Sequence, residues 1–271
     1  MTADLVLPAQ NTRFLTRRAT GLLQLCSVRA VSLPRFLKSR LSHGVFVSPR
    51  FRYVFTEVPK AGCSTTKAIL WRLEDFGPLP ASLHARTRND PRLSPVTADL
   101  KTAAEALFGP AYFRFTLWRD PVSRLASAYR DKIHLGLSPS SEWLPVRRAI
   151  ADAVGVADPA DITFDQFARY VCEQPDGERD SHWMSHYRVG LHDVIDYDAL
   201  VRTDHYEVDM AAVLTRLAIA RDRWPDLSVK VHTTGSREQV AISKETAALV
   251  RAAFAIDYQL LDRVPVAATL T

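Results

Sequence analysis

A single run, FRYVFTEVPKAGCSTTKAILWRL from Phe51 to Leu73, constrains this chain more than any other stretch. It opens on alternating apolar and β-branched residues, breaks at Pro59, crosses the small residues Ala61, Gly62, Cys63 and Ser64, and becomes amphipathic from Thr65 onward. The pattern predicts a strand, a tight loop and a helix. A loop of small residues leaves backbone N–H groups uncovered at the helix N-terminus. About half a positive charge accumulates there, so the expected guest is an anion. Lys60 and Lys67 flank the loop with two full charges, and the hydroxyls of Ser64, Thr65 and Thr66 add donors.

The loop departs from the Walker pattern, in which Gly-Lys is followed by a Ser or Thr whose hydroxyl holds magnesium. Here Ala68 follows Lys67, so that ligand is missing and no metal is expected to be required. A group less charged than phosphoryl can be transferred without the metal, and sulfuryl is the foremost candidate.

A second anion site follows from Tyr112 to Gly136. YFRFTLW reads as a central strand, and RDPVSRLASAYRDKIHLG continues it as a helix with Asp120 at the N-cap and Pro121 as the first helical residue. Val122, Leu125, Ala126, Tyr129 and Ile133 make the buried stripe, which leaves Arg124, Ser127 and Arg130 off it. Arg119 therefore stands at the C-terminal end of a strand beside a helix N-terminus, where open α/β sheets bind ligands. A guanidinium there can grip a phosphate with paired hydrogen bonds.

The remaining pattern alternates. Helices are expected over 141–155 and from Thr163 to Glu173, a strand over Leu191–Tyr197, helices over 198–202 and 206–219, a short strand over Ser228–His232 and a last helix over Lys244–Leu261. Strands alternating with helices, with no repeat, predict a P-loop-like three-layer α/β/α fold around a central parallel sheet. The 271 residues suit one large domain better than two small ones.

Lys and Arg outnumber Asp and Glu by 35 to 30, and the pI is near 9.2, an excess that suits an anionic ligand. No basic run is interleaved with aromatics, so nucleic acid is not an expected partner. Cys26, Cys63 and Cys172 are too few and too scattered for a disulfide framework or a zinc site, which points to a reducing compartment. The apolar stretch from Ala19 to Leu33 is cut by Arg29 and falls short of the ~20 residues that span a bilayer. Lacking a small-residue cleavage site, it reads as an amphipathic helix of a cytoplasmic protein. Residues 1–43 form a helical extension whose basic residues, Arg13 to Arg40, make a solvated face or, alternatively, a peripheral membrane or partner surface.

VPKAGCSTTK followed by LWRDPVSRLASAYRDK resembles the paired signatures of the carbohydrate sulfotransferases that use 3′-phosphoadenosine 5′-phosphosulfate, in particular the HNK-1 and chondroitin 4-O-sulfotransferase group. TFDQFARYV and SHWMSHYRVGLHDVIDYDALVRTDHYEVD extend the resemblance, which covers Phe51 to Tyr258. It implies that residues 44–271 are a single sulfotransferase domain. It implies that the first loop holds the 5′-phosphosulfate, with Lys60 on the bridging oxygen and Ala61, Gly62, Cys63, Ser64, Thr65 and Thr66 orienting it. By the same resemblance Arg119 and Ser127 hold the 3′-phosphate, and the loop of Thr234, Ser236 and Arg237 closes over the nucleotide, which leaves as 3′,5′-adenosine bisphosphate. The acceptor is then a hydroxyl of a carbohydrate, glycolipid or other hydroxylated molecule.

Such a hydroxyl needs a base within hydrogen-bond reach. His84, in the polar loop 80–98, and His182, in the His-Trp pair, are the candidates; Glu57 is a third, with a simple ion pair to Lys60 as its other role. Arg86, Arg88 and Arg92 in the same loop hint at an anionic or polyol acceptor. Vertebrate members carry a membrane anchor and a cysteine-rich segment after His-Trp. Here Gly190-Leu191-His192 stands where those cysteines are expected, so the resemblance implies a soluble bacterial-type member and leaves the acceptor open. A P-loop kinase and a catalytically silent binding module are the competing readings.

Overall fold

The computed structural model describes residues 40–41, 43–80, 100–134, 142–231 and 240–270. Strand β1 (Val45–Ser48) turns back through Arg50 to β2 (Tyr53–Thr56), and the anion-directed loop leads into α1 (Cys63–Leu73). Helix α2 (Leu100–Phe108) precedes β3 (Phe113–Trp118), which feeds α3 (Pro121–Tyr129) and a π-turn at Arg130–His134. Then come α4 (Leu144–Val154), α5 (Phe164–Glu173), the short α6 (His186–Val189), β4 (Ala199–Arg202) and α7 (Tyr206–Arg216). Helices α8 (Lys244–Ala253), α9 (Ala255–Tyr258) and α10 (Leu260–Arg263) close the chain.

The four strands form one sheet in the order β1-β2-β3-β4. β2, β3 and β4 run parallel, with Phe55 opposite Phe115 and Leu117 opposite Val201. β1 pairs antiparallel with β2 at the edge. The parallel strands are buried on both faces, which is why they read as nearly continuous apolar runs. One face packs Phe55, Phe115 and Val201 against Ile69 and Leu70 of α1 and Met210 and Val213 of α7. The other packs Val54, Trp118 and Leu200 against Ala103 and Leu107 of α2 and Leu260 of α10. Helices α3, α4, α5 and α8 build an adjoining core on Leu125, Ile150, Phe167 and Val250. The architecture is the expected α/β fold, its parallel sheet carrying one antiparallel edge strand.

The last third of the chain corrects several local expectations. LHDVIDY alternates like a strand, but Leu191 takes a left-handed φ of 57° and the segment coils into turns, with the Tyr197 hydroxyl donating to the Gly190 carbonyl. The strand is instead Ala199–Arg202, read from sequence as a helix, because these residues find the free edge of β3. Pairing, which periodicity cannot see, decided between them. Residues 228–231 form no strand; the Val231 amide donates to Thr65 Oγ1. The single helix expected over Lys244–Leu261 is three, broken first at Phe254, whose buried ring receives the Arg179 guanidinium at 4.5 Å. Arg40, expected on a solvated face, is buried, donating to the Val189 carbonyl and pairing with Glu57. The helix expected within residues 1–39 lies outside the described residues.

Candidate active site

The loop after β2 is built from two unusual backbone positions. Lys60 has φ 64° and Gly62 has φ 87°, left-handed values that cost a side-chain-bearing residue such as Lys60 about 1 kcal/mol or more. Such strain concentrates where a backbone must present a group to a ligand. Gly62 is the N-cap of α1 and makes no side-chain cap, and a helix N-terminus is a site that favours an anion.

The second turn grips the first. Arg119 Nη1 donates to the Lys60 carbonyl at 2.9 Å, and Arg124 Nε donates to the Pro59 carbonyl at 2.8 Å. Arg124 also donates to the carbonyls of Met184 at 2.6 Å and Ser181 at 3.2 Å. One buried guanidinium thus ties together the loop after β2, α3 and the His182 segment, and burial pulls its pKa down to about 10. It lies off the apolar stripe yet is buried, because its five-donor fork answers carbonyls from two other segments.

The Arg119–Asp120 turn is fixed from behind. Asp120 caps α3 through the Ser123 amide at 2.9 Å and accepts the Tyr258 hydroxyl at 2.8 Å. The Arg119 amide donates to His186 Nε2 at 3.2 Å, while Nδ1 of the same ring pairs with Asp257 at 2.8 Å. Asp257 also accepts the amides of His186 and Tyr187. Both rings of contact leave His186 neutral, a state that its complete burial favours.

Between the turns opens a cleft of about 1190 Å³ at the C-terminal ends of β2 and β3. Lys60, Gly62, Cys63, Ser64 and Thr65 line one side, Arg119 and Ser127 another, and the π-turn residues Arg130, Asp131 and Lys132 continue the wall to His182. Thr203 to Val208 and Lys230 complete the far side. Lys60 Nζ pairs with Asp131 Oδ2 at 2.8 Å. Burial lowers the pKa of the ammonium and Asp131 opposes it; burial alone would raise Asp131, but Lys60 and Lys132 hold the carboxyl below its usual range. Arg119 is likewise lowered by burial and by neighbouring Arg130. Burial pushes the Cys63 thiol up, so it remains a protonated, poorly nucleophilic group.

His182 faces this cleft with Nδ1 held by Asp180 Oδ1 at 2.7 Å and its ring edge-on to Trp143, the centroids 5.0 Å apart. An ionised carboxylate only accepts, so Nδ1 is the donor in this pair, which leaves Nε2 as the ring nitrogen not engaged by Asp180. Burial would raise Asp180, yet its bonds from His182 leave it below the usual carboxylate range.

The structure gathers most, not all, of the residues singled out in the sequence. Ala61 is fully buried, its amide bonded to the Val58 carbonyl, and Thr66 turns its hydroxyl inward to the Gly62 carbonyl and to Tyr206 at 2.8 Å. Lys67 does not flank the cleft. It lies one helical turn past buried Cys63, on the core face, paired with Glu57 and 5.3 Å from the Phe46 ring centroid. Glu57 accordingly serves Lys67 and Arg40, not Lys60. His84, Arg86, Arg88, Arg92, Thr234, Ser236 and Arg237 lie outside the described residues. The sequence reading missed Asp131, Lys132, Asp180 and the tying role of Arg124; of these only Arg124 carried a signal, its fixed place in Arg-Asp-Pro-x-x-Arg.

A strand-loop-helix cradle and an arginine-bearing second turn thus stand side by side on one parallel sheet, the P-loop-like α/β arrangement. The profile of the sulfotransferase family matches residues 43–262, and the chain belongs to that family. Carbohydrate sulfotransferase 14 of Mus musculus is 30% identical over 67% of this chain and 48% of its own length. The Homo sapiens protein of that name is 31% identical over the same shares, and carbohydrate sulfotransferase 8 of Homo sapiens is 29% identical over 72% of this chain and 47% of its own. The chain thus spans about half the length of these curated relatives. No solved structure matches it. Among the described residues, no helix is long and apolar enough to cross a membrane.

Proposed function

We propose that this chain transfers a sulfuryl group from 3′-phosphoadenosine 5′-phosphosulfate to a hydroxyl of a carbohydrate or glycoconjugate, by in-line displacement. The observation that carries the reading is that Lys60 and Arg119, one from each anion-directed turn, share a single cleft and are joined through the Lys60 carbonyl. Family membership and the carbohydrate sulfotransferase relatives support the same chemistry.

The donor set fits a nucleotide with phosphates at both ends. The N-terminus of α1, with Ser64 and Thr65, suits the 5′-phosphosulfate, and Arg119 with Ser127 suits the 3′-phosphate. The donor supplies the activated sulfuryl group. Lys60 holds the phosphate oxygen that receives the electron pair of the breaking S–O bond, stabilising charge where it grows. His182 Nε2 accepts the proton of the acceptor hydroxyl as its oxygen bonds to sulfur, and Asp180 keeps that ring oriented.

Transfer of radiolabelled sulfate to a panel of glycans, glycolipids and small hydroxylated metabolites, run with a chelator, tests the proposal. Label on a glycan with wild-type protein and none with Lys60→Ala is expected. No transfer to any acceptor, or transfer of phosphate from ATP with magnesium, would sink it. His84→Ala beside His182→Ala tells which imidazole is the base.

A further inference from the structure

Lys60 enters the cleft already paired. Its Nζ lies 2.8 Å from Asp131 Oδ2, with side chains 15% and 29% exposed. Asp131 belongs to the π-turn that prolongs α3, the helix that also brings Ser127 to the cleft. Such turns interrupt regular helices mostly at working sites. An anion settling into the cradle competes with Asp131 for the same ammonium. A half-buried carboxylate stripped of its partner is costly, but here a second cation stands ready: Lys132 Nζ lies 3.3 Å from the same oxygen, with its ammonium 4.7 Å from the Trp143 ring centroid. Lys60 can therefore leave Asp131 without orphaning it. The lysine stem is flexible and its head carries three donors, so the exchange needs rotation of a side chain and no backbone shift.

We propose that Asp131 is a positioning residue for Lys60: it holds the ammonium at the mouth of the cradle in the ligand-free protein, yields it to the entering phosphosulfate, and falls back on Lys132. This rests on the role assigned to Lys60 above. After transfer the same exchange runs backward, with Asp131 drawing Lys60 off the product and aiding release.

A double-mutant cycle tests it, titrating 3′,5′-adenosine bisphosphate calorimetrically into the full chain, Asp131→Asn, Lys60→Ala and the double variant. Asp131→Asn is expected to tighten the nucleotide about fivefold, ~1 kcal/mol, and to change it less than about twofold when Lys60 is alanine. In turnover Asp131→Asn lowers donor KM and kcat together, since product is held longer, and Asp131→Glu restores both. Equal tightening in both backgrounds would reduce Asp131 to simple repulsion of phosphate and overturn the exchange, as would no change in either. If Asp131→Asn fails to fold, Asp131→Ser enters the same cycle. Loss of the inference alone leaves wild-type transfer intact; wild-type protein that binds no nucleotide removes the parent reading as well.

Discussion

Arg119 donates a hydrogen bond of 2.9 Å to the carbonyl of Lys60, so the turn after β3 holds the loop after β2 by its backbone. The two anion-directed segments are one rigid unit, and a substitution in either is felt by the other.

Under the proposed mechanism, Lys60→Ala removes the charge that faces the leaving oxygen. Turnover is expected to fall by ~10²–10³-fold or more, the range for loss of one preorganised donor, while the fold survives because Lys132 still pairs with Asp131 when Lys60 is gone. Steady-state sulfate transfer together with a thermal melt checks both halves.

Arg119→Ala is expected to weaken 3′,5′-adenosine bisphosphate by ~1.5–3 kcal/mol, the worth of hydrogen bonds to a charged group. Adenosine 5′-phosphosulfate, which lacks the 3′-phosphate, should lose much less. Equal losses for both ligands in calorimetry would place the arginine elsewhere on the nucleotide.

His182→Ala should reduce kcat by ~10²–10⁴-fold, the usual contribution of a positioned base. Asp180→Asn, which removes the negative charge of the partner 2.7 Å from Nδ1, should lower kcat by a smaller factor and leave donor KM unchanged. A change confined to donor KM in either variant would count against the assignment.

Arg124→Ala leaves the carbonyls of Pro59, Ser181 and Met184 without their donor. The expected loss is roughly 3 kcal/mol, a drop of roughly 6–12 °C in Tm for a domain of this size. Arg124→Lys should rescue little, because a single ammonium cannot reproduce the planar fork. Differential scanning calorimetry decides it.

Stability should fall on mild acidification through His186. Burial holds this imidazole below its ordinary 6.5, so beneath about that pH the unfolded chain takes up a proton that the folded protein refuses. The stabilisation is complete above that pH and declines below it, by at most ~1.4 kcal/mol per pH unit. Asp257, held below the carboxylate range by His186 against the opposing pull of burial, adds a second loss as the pH drops through its own lowered value. Urea melts between pH 7.5 and 5 should show the slope, and His186→Asn should reduce it, the remainder coming from His192, whose imidazole burial pulls down to about 3.

The strand-loop-helix run, the Asp120-Pro121 helix start and the helix opening at Thr163 were all legible before any coordinates, because each rests on contacts within a few residues. So was the expectation that Lys60 and Arg119 serve one ligand, since consecutive parallel strands deliver their C-terminal ends to the same edge of a sheet. LHDVIDY shows where such reading stops. Its alternation satisfied a strand pattern, while the ladder position beside β3 went to Ala199–Arg202.

By itself the sequence determined the local elements and the chemical character of the two turns, because backbone propensity, capping and charge are encoded residue by residue. Tertiary structure alone decided which lysine faces the cleft, that Glu57 serves Lys67 and Arg40, that Asp131 meets Lys60, and that His182 lines the same cleft as the cradle. Those pairings join residues from different elements, and a charge in a low-dielectric interior takes the partner that packing brings within reach, not the one nearest in sequence.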